Sequence, residues 1–180
     1  VLTGQGEQAQ PLLTTVLENS NRAERCDSAM ACLLLGQIEQ ARDLLETCLE
    51  LEDVDALVYG RLAAVYLTLD NLVLAEQYYQ EAVNREPGRA EWHNNLAGIQ
   101  VRQQKLEEAL ENYDIALALK SSLEQSIHAR EKVLIALERT DEVVEQLQEQ
   151  LQADADNVAL RTRLARALAQ GSREVEAIKL

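Results

Sequence analysis

The sequence predicts an all-α chain of antiparallel helix hairpins laid side by side, and three observations carry that prediction. Leu, Ala, Glu and Gln dominate the 180 residues, with 7 Gly, 2 Pro and no Phe. These are helix formers, and a β-rich chain would need turn residues far more often. Apolar positions recur with a 34-residue step: Leu45, Tyr79, Tyr113 and Leu147 share one phase, and Leu49, Val83, Leu117 and Leu151 another. Small residues hold their own phases, as Ala41, Ala75, Ala109, Val143 and Ala177 do, and as Ala29, Ala63, Ala97 and Ala165 do. A period of this length marks a repeat architecture. Helices pack at roughly 8–10 Å, and the closest crossings need small side chains. Ala63 and Ala75 would let one hairpin close, and Ala82 and Ala97 would let the next stack on it.

Taken in order, residues 1–21 read as the second helix of a partial repeat, with Ala9, Leu13, Val16 and Leu17 in phase and Pro11 in the first turn, where proline is tolerated. Residues 22–55 form a full repeat through Ala29, Gly36, Ala41, Leu45 and Cys48. Residues 56–89 give the clearest pattern. Tyr59, Leu62, Ala63, Tyr66 and Leu69 make one helical stripe, and Leu72, Ala75, Tyr79, Ala82 and Val83 the next. Asp70-Asn71 joins the two stripes, and Pro87 stops the second, because proline cannot continue a helical ladder. Residues 90–123 repeat the scheme through Leu96, Ala97, Ala109, Tyr113 and Ala116.

Residues 124–157 keep the length with a weaker pattern. Their start is marked by Ser121-Ser122-Leu123-Glu124-Gln125, which contains a capping-box spacing. Arg130 and Glu131 stand where the other repeats have Leu and Ala. A long charged side chain at a close crossing must splay the hairpin or find a partner, so loosening or a salt-bridged kink is expected here. Residues 158–180 are a repeat cut inside its second helix. Ala177, Ile178 and Leu180 are unmatched there, so the end is expected either to continue in a longer protein or to be covered by another subunit.

Residues 56–89, with Tyr59, Leu62, Ala63, Tyr66, Ala75, Tyr79, Ala82 and Pro87, resemble the tetratricopeptide repeat, and the likeness extends over nearly the whole chain. It implies a single array over residues 1–180, a right-handed superhelical solenoid whose first helices line a concave groove. Carried over phase by phase, that lining begins with Cys26, Met30, Leu33 and Leu34, then Leu57, Ala64 and Leu67. Asn94, Asn95, Arg102, His128, Lys132, Arg163 and Arg166 follow toward the C-terminal end. The early part is apolar and the later part basic. The acids Glu107, Glu108, Glu111, Asp114, Asp141, Glu142, Glu145 and Glu149 fall on second helices. A protein or peptide segment with apolar anchors and acidic residues would suit such a groove. The chaperone-binding carboxylate clamp of this family is not matched. Of its five places only Asn95 fits, the others holding Gly60, Ala64, Gln125 and Ala129.

The remaining signals narrow the function further. A net charge of −14 argues against nucleic acid and against anionic membranes. No apolar run reaches the roughly 20 residues of a spanning helix; no basic-then-apolar secretory leader is expected, although the start at Val1 without Met allows a processed or trimmed one. Cys26, Cys32 and Cys48 are odd in number and form no CxxC, so a disulfide or zinc site is not expected. The expected compartment is the cytoplasm, with the periplasm as the alternative. His93 and Trp92 sit at packing phases, and His128 has no second ligand at metal spacing. No nucleophile elbow, phosphate loop or HExxH is present, so neither catalysis nor a cofactor is expected. The expected function is non-catalytic protein binding. The alternatives are the interaction module of a larger enzyme, such as a sulfotransferase or glycosyltransferase, and a scaffold that self-associates through an uncapped terminal repeat.

Overall fold

A computed structural model gives the fold, and it describes residues 22–50 and 53–171. The partial first repeat and the last residues of the truncated one lie outside the described residues. Among the described residues the chain is all-α: α1 (Arg22–Leu34), α2 (Ile38–Cys48), α3 (Ala56–Thr68), α4 (Leu72–Arg85), α5 (Ala90–Arg102), α6 (Leu106–Leu119), α7 (Glu124–Ala136), α8 (Thr140–Ala153) and α9 (Val158–Gln170). Successive helices pack as hairpins. The first helix of each hairpin begins at residue 22, 56, 90, 124 or 158, one sequence period apart.

The turn inside each hairpin follows one design. Gly36, Asp70, Gln104 and Glu138 all have positive φ (74°, 59°, 62° and 61°). The amide of the following residue reaches back to the helix in each case: Gln37 to the Cys32 carbonyl at 2.9 Å, Asn71 to Tyr66 at 2.8 Å, Lys105 to Gln100 at 2.9 Å and Arg139 to Leu134 at 2.8 Å. This is the left-handed helix stop that satisfies otherwise orphaned carbonyls. Glycine fits it without a Cβ penalty at residue 36 alone, while the other three turns hold side chains in the left-handed region. Asn71 then caps α4 by accepting from the Leu74 amide at 3.1 Å, and Asp55 caps α3 through Leu57 at 2.7 Å. The capping box expected before α7 does not form. Leu123 is the N-cap and offers no side-chain bond, and Ser121 and Ser122 lie in the preceding turn. The chain turns too early there for either hydroxyl to reach the first helical amides.

By internal packing the chain divides into two compact units, the first ending at Ile99 and the second starting at Gln100. In the first unit Ala29, Cys32, Ala41, Leu45 and Cys48 are wholly buried and close α1 on α2. Ala63, Ala75 and Ala82 are likewise buried, with Tyr79, Trp92 and Leu96 packed around them. The alanines therefore sit at crossings, as their phase requires. Trp92 packs through its ring and donates from Nε1 to Glu86 at 3.2 Å, and the buried His93 donates from Nε2 to the Pro87 carbonyl at 3.1 Å. Both are packing residues.

Two cysteine expectations fail in this unit. Cys26 and Cys48 form a disulfide, with Cα atoms 5.9 Å apart, and Cys32 is the buried free thiol. Cys26 is buried in the hairpin and does not face a groove. An odd cysteine count says nothing about which two phases a helix crossing brings together, and α1 and α2 cross at these two.

In the second unit Ala109, Tyr113 and Ala116 of α6, Val133 and Leu134 of α7, Val143 and Leu147 of α8, and Leu164, Ala167 and Leu168 of α9 are among the buried apolar positions. The anomalous charges of α7 are both paired. Arg130 donates from Nε to Asp114 and from Nη1 to Gln146 Oε1 at 3.0 Å, and Arg163 donates to Glu131. The helix runs from Glu124 to Ala136 with both charges salt-bridged, and this hairpin packs less closely than the first two. A polar cavity of about 280 Å³ borders Arg130, Glu131, Gln146 and Leu147.

Candidate functional site

The residues expected to line a groove separate into three groups. Leu33 and Leu67 are half-buried and pack against the two cores of the first unit. Each keeps part of its surface exposed. Met30 and Leu34, 37% and 82% exposed, remain at the surface.

Asn94 and Asn95 form the second group. Asn94 Nδ2 donates to Asn95 Oδ1 at 3.2 Å, and Asn95 Nδ2 donates to the Tyr79 hydroxyl at 3.3 Å. Both are half-buried, so the Asn95 amide already serves the packing between α4 and α5. Arg102 is exposed in the last turn of α5, apart from the residues that converge below.

The third group comes together. His128, Lys132 and Ile135 repeat along one face of α7, and Arg163, Arg166 and Gln170 along one face of α9, at the spacings that align side chains on a helix. These two faces border one cleft, with Val143 of α8 and Ala167 among its apolar lining. His128 is held upright, because its Nδ1 donates to the Glu124 carbonyl at 2.8 Å, which leaves Nε2 as the ring's second polar atom. Lys132 and Arg166 are exposed. Four of the residues carried over from the family's groove pattern, His128, Lys132, Arg163 and Arg166, therefore share one site.

Glu131 also lines this cleft and was not foreseen there, since its phase belongs to the alanine crossing. Its carboxylate accepts from Arg163, and both side chains are largely buried, at 17% and 18% exposed. Arg163 is thus a paired cation at the cleft wall, and Lys132 and Arg166 are the solvated ones. The surface opposite in sign lies on the second helices: Glu107, Glu108, Glu111 and Asp114 of α6 and Asp141, Glu142, Glu145 and Glu149 of α8 are all exposed. Among the described residues no cluster of three or more His, Cys, Asp or Glu side chains is placed to hold a metal, and no helix is long and apolar enough to cross a membrane.

A family model for the tetratricopeptide repeat matches residues 26–90 and 75–124, more than half of the chain. The chain is 34% identical over 96 residues to the DnaJ homolog subfamily C member 7 homolog of Schizosaccharomyces pombe, a match covering 51% of this chain and 20% of that protein. It therefore spans about a fifth of the length of that curated relative. Among solved structures it is similar to the MamA protein, with a TM-score of 0.74 and 14% identity over 88% of this chain and 86% of that one. It is also similar to Pseudomonas aeruginosa pilF (0.65, 22%, with 88% and 72% covered). The first TPR of Spaghetti (RPAP3), solved bound to the HSP90 peptide SRMEEVD, matches at 0.61 and 19%, with 64% and 92% covered. At these identities the structures speak to fold alone.

Proposed function

The chain belongs to the tetratricopeptide repeat family, and on that premise we propose that this protein-interaction module takes an extended acidic peptide segment in the cleft between α7 and α9. The observation that carries the reading is the convergence of His128, Lys132, Arg163 and Arg166 beside Ile135, Val143 and Ala167. Solvated cations beside the half-buried Ile135 suit a segment that alternates carboxylates with aliphatic side chains. The whole chain is acidic, at −14, so a local basic cleft in it is a feature that composition does not supply.

The peptide of the RPAP3 neighbour, SRMEEVD, combines apolar and acidic residues. That chemistry supports an acidic ligand class here. The route by which carboxylate-clamp members hold such a peptide does not transfer, because the clamp places hold Gly60, Ala64, Asn95, Gln125 and Ala129. The reading is therefore capture by α7 and α9, without a clamp.

Panning a random peptide display library against the folded chain tests it. Recovered sequences should be enriched in Asp and Glu alternating with Val, Leu or Ile, and the pool should be lost on K132E/R166E. A pool with no acidic bias, or one retained by K132E/R166E, would contradict the reading.

A further inference from the structure

The long cations of the α7–α9 cleft are not equivalent. Arg163 is committed: it donates to Glu131 from a wall where both side chains are mostly buried. Lys132 and Arg166 are exposed and, among the described residues, have no ion-pair partner. The fold does not require a carboxylate at residue 131, because the same phase holds Ala63, Ala97 and Ala165 in other repeats. Nor does Glu131 exhaust Arg163, whose Nε is buried and makes no hydrogen bond.

Resting on the reading that this cleft takes an acidic segment, we propose that Glu131 is a built-in competitor for the ligand's carboxylates. With Arg163 occupied by Glu131, an incoming carboxylate is read by Lys132 and Arg166, and an aliphatic side chain of the same segment rests on the half-buried Ile135. To reach Arg163 a ligand would have to displace Glu131 and leave its buried charge uncompensated, which is costly. The internal carboxylate thus holds affinity down and narrows the cleft's choice to segments whose acidic groups fall over Lys132 and Arg166. Neutralising Glu131 returns Arg163 to the site as a third reader. The counterintuitive consequence is that losing this glutamate strengthens binding of an acidic partner.

Fluorescence anisotropy with two labelled short peptides, one of repeating Glu-Glu-Val and one of repeating Gln-Gln-Val, tests the idea on the full chain. The wild type should bind the glutamate peptide and ignore the glutamine one. K132Q/R166Q should weaken that binding by about tenfold or more, and E131Q should tighten it by about threefold to tenfold. In E131Q/R163Q that gain should disappear. E131Q that is folded by its circular dichroism spectrum at the assay temperature, yet binds no better than wild type, overturns the competitor role. If E131Q does not fold, E131D, whose shorter carboxylate reaches Arg163 less well, takes its place: it should tighten binding in the same direction, and no gain there overturns the role. Failure of the wild type to bind the glutamate peptide at all sinks the peptide-binding reading itself, a result distinct from binding without a gain in E131Q.

Discussion

A Cβ built on Gly60 would stand 2.4 Å from the edge of the Trp92 indole. The first helices of two successive hairpins, α3 and α5, thus meet through a missing side chain. The indole is not free to retreat, being buried, 6.2 Å from the Tyr79 ring and beneath the Arg89 guanidinium at 4.4 Å. Helix propensity alone says that Gly60→Ala should stabilise by about 1 kcal/mol. Overpacking a fitted core costs about 1–3 kcal/mol, and the rigidity of this ring places the change toward the upper part of that range. Gly60→Ala is therefore expected to lower the urea midpoint. A raised midpoint would show that Trp92 gives way at little cost.

Arg130 and Glu131 are adjacent, yet their removal should have opposite consequences. Arg130 pairs with Asp114, whose side chain is 50% exposed and can return to water. Arg130→Leu restores the residue found at Leu62, Leu96 and Leu164, and replacing a buried ion with a fitting hydrophobe is often neutral or stabilising by about 1–4 kcal/mol. Glu131→Ala also restores the residue of its phase, but it leaves Arg163 mostly buried and without its carboxylate, a situation that costs about 3–5 kcal/mol. Calorimetry should find Arg130→Leu at or above the wild-type melting temperature and Glu131→Ala well below it. Equal effects would mean that the two ion pairs are not separate.

The repeats were legible because packing writes a periodic signal. Ala63, Ala75 and Ala82 are small for a reason that recurs every 34 residues, and the same reason buries them. The phase also places Lys132, Arg163 and Arg166 together along one cleft between α7 and α9. What phase cannot supply is the partner a side chain chooses. Leu33 and Leu67 hold groove phases and rest partly buried against the cores, Asn95 turns its amide to Tyr79, and Arg163 turns to Glu131. Cys26 met Cys48 because two helices cross, a fact of three dimensions that spacing along the chain does not encode. The capping box failed for a related reason: the residues were right, but the turn placed them outside the helix start.

Tyr66 should report on high pH. Burial, first, and the hydrogen bond that its hydroxyl donates to Glu46, second, push its pKa from the ordinary value near 10 up to about 12. The folded state thus holds a proton that the unfolded chain loses earlier. The stabilisation linked to Tyr66 is complete below pH 10 and is lost as pH rises through about 12. Subtracting the tyrosinate absorbance titration of Tyr66→Phe from that of wild type should leave a step near pH 12, which Glu46→Gln moves downward. A difference step near pH 10 would show that neither burial nor Glu46 governs this phenol.

The Cys26–Cys48 bond closes a sequence separation of 22 and ties α1 to α2. Loop-closure entropy for a ring of that size gives about 3 kcal/mol, taken from the unfolded chain. Cys32 does not threaten the pairing, because burial raises its pKa and a thiol that stays protonated is a poor nucleophile. Denatured, unreduced protein should therefore take up one equivalent of alkylating reagent, with reductant exposing the other two thiols. Reductant, or Cys48→Ser, should also lower the melting temperature of the first unit. The same measurement on cells quenched with acid and alkylated bears on compartment: a protected pair argues for an oxidising location, against the cytoplasmic expectation, because cytosolic reductants keep such pairs open. Three thiols alkylated without reductant would show that α1 and α2 are held by packing alone.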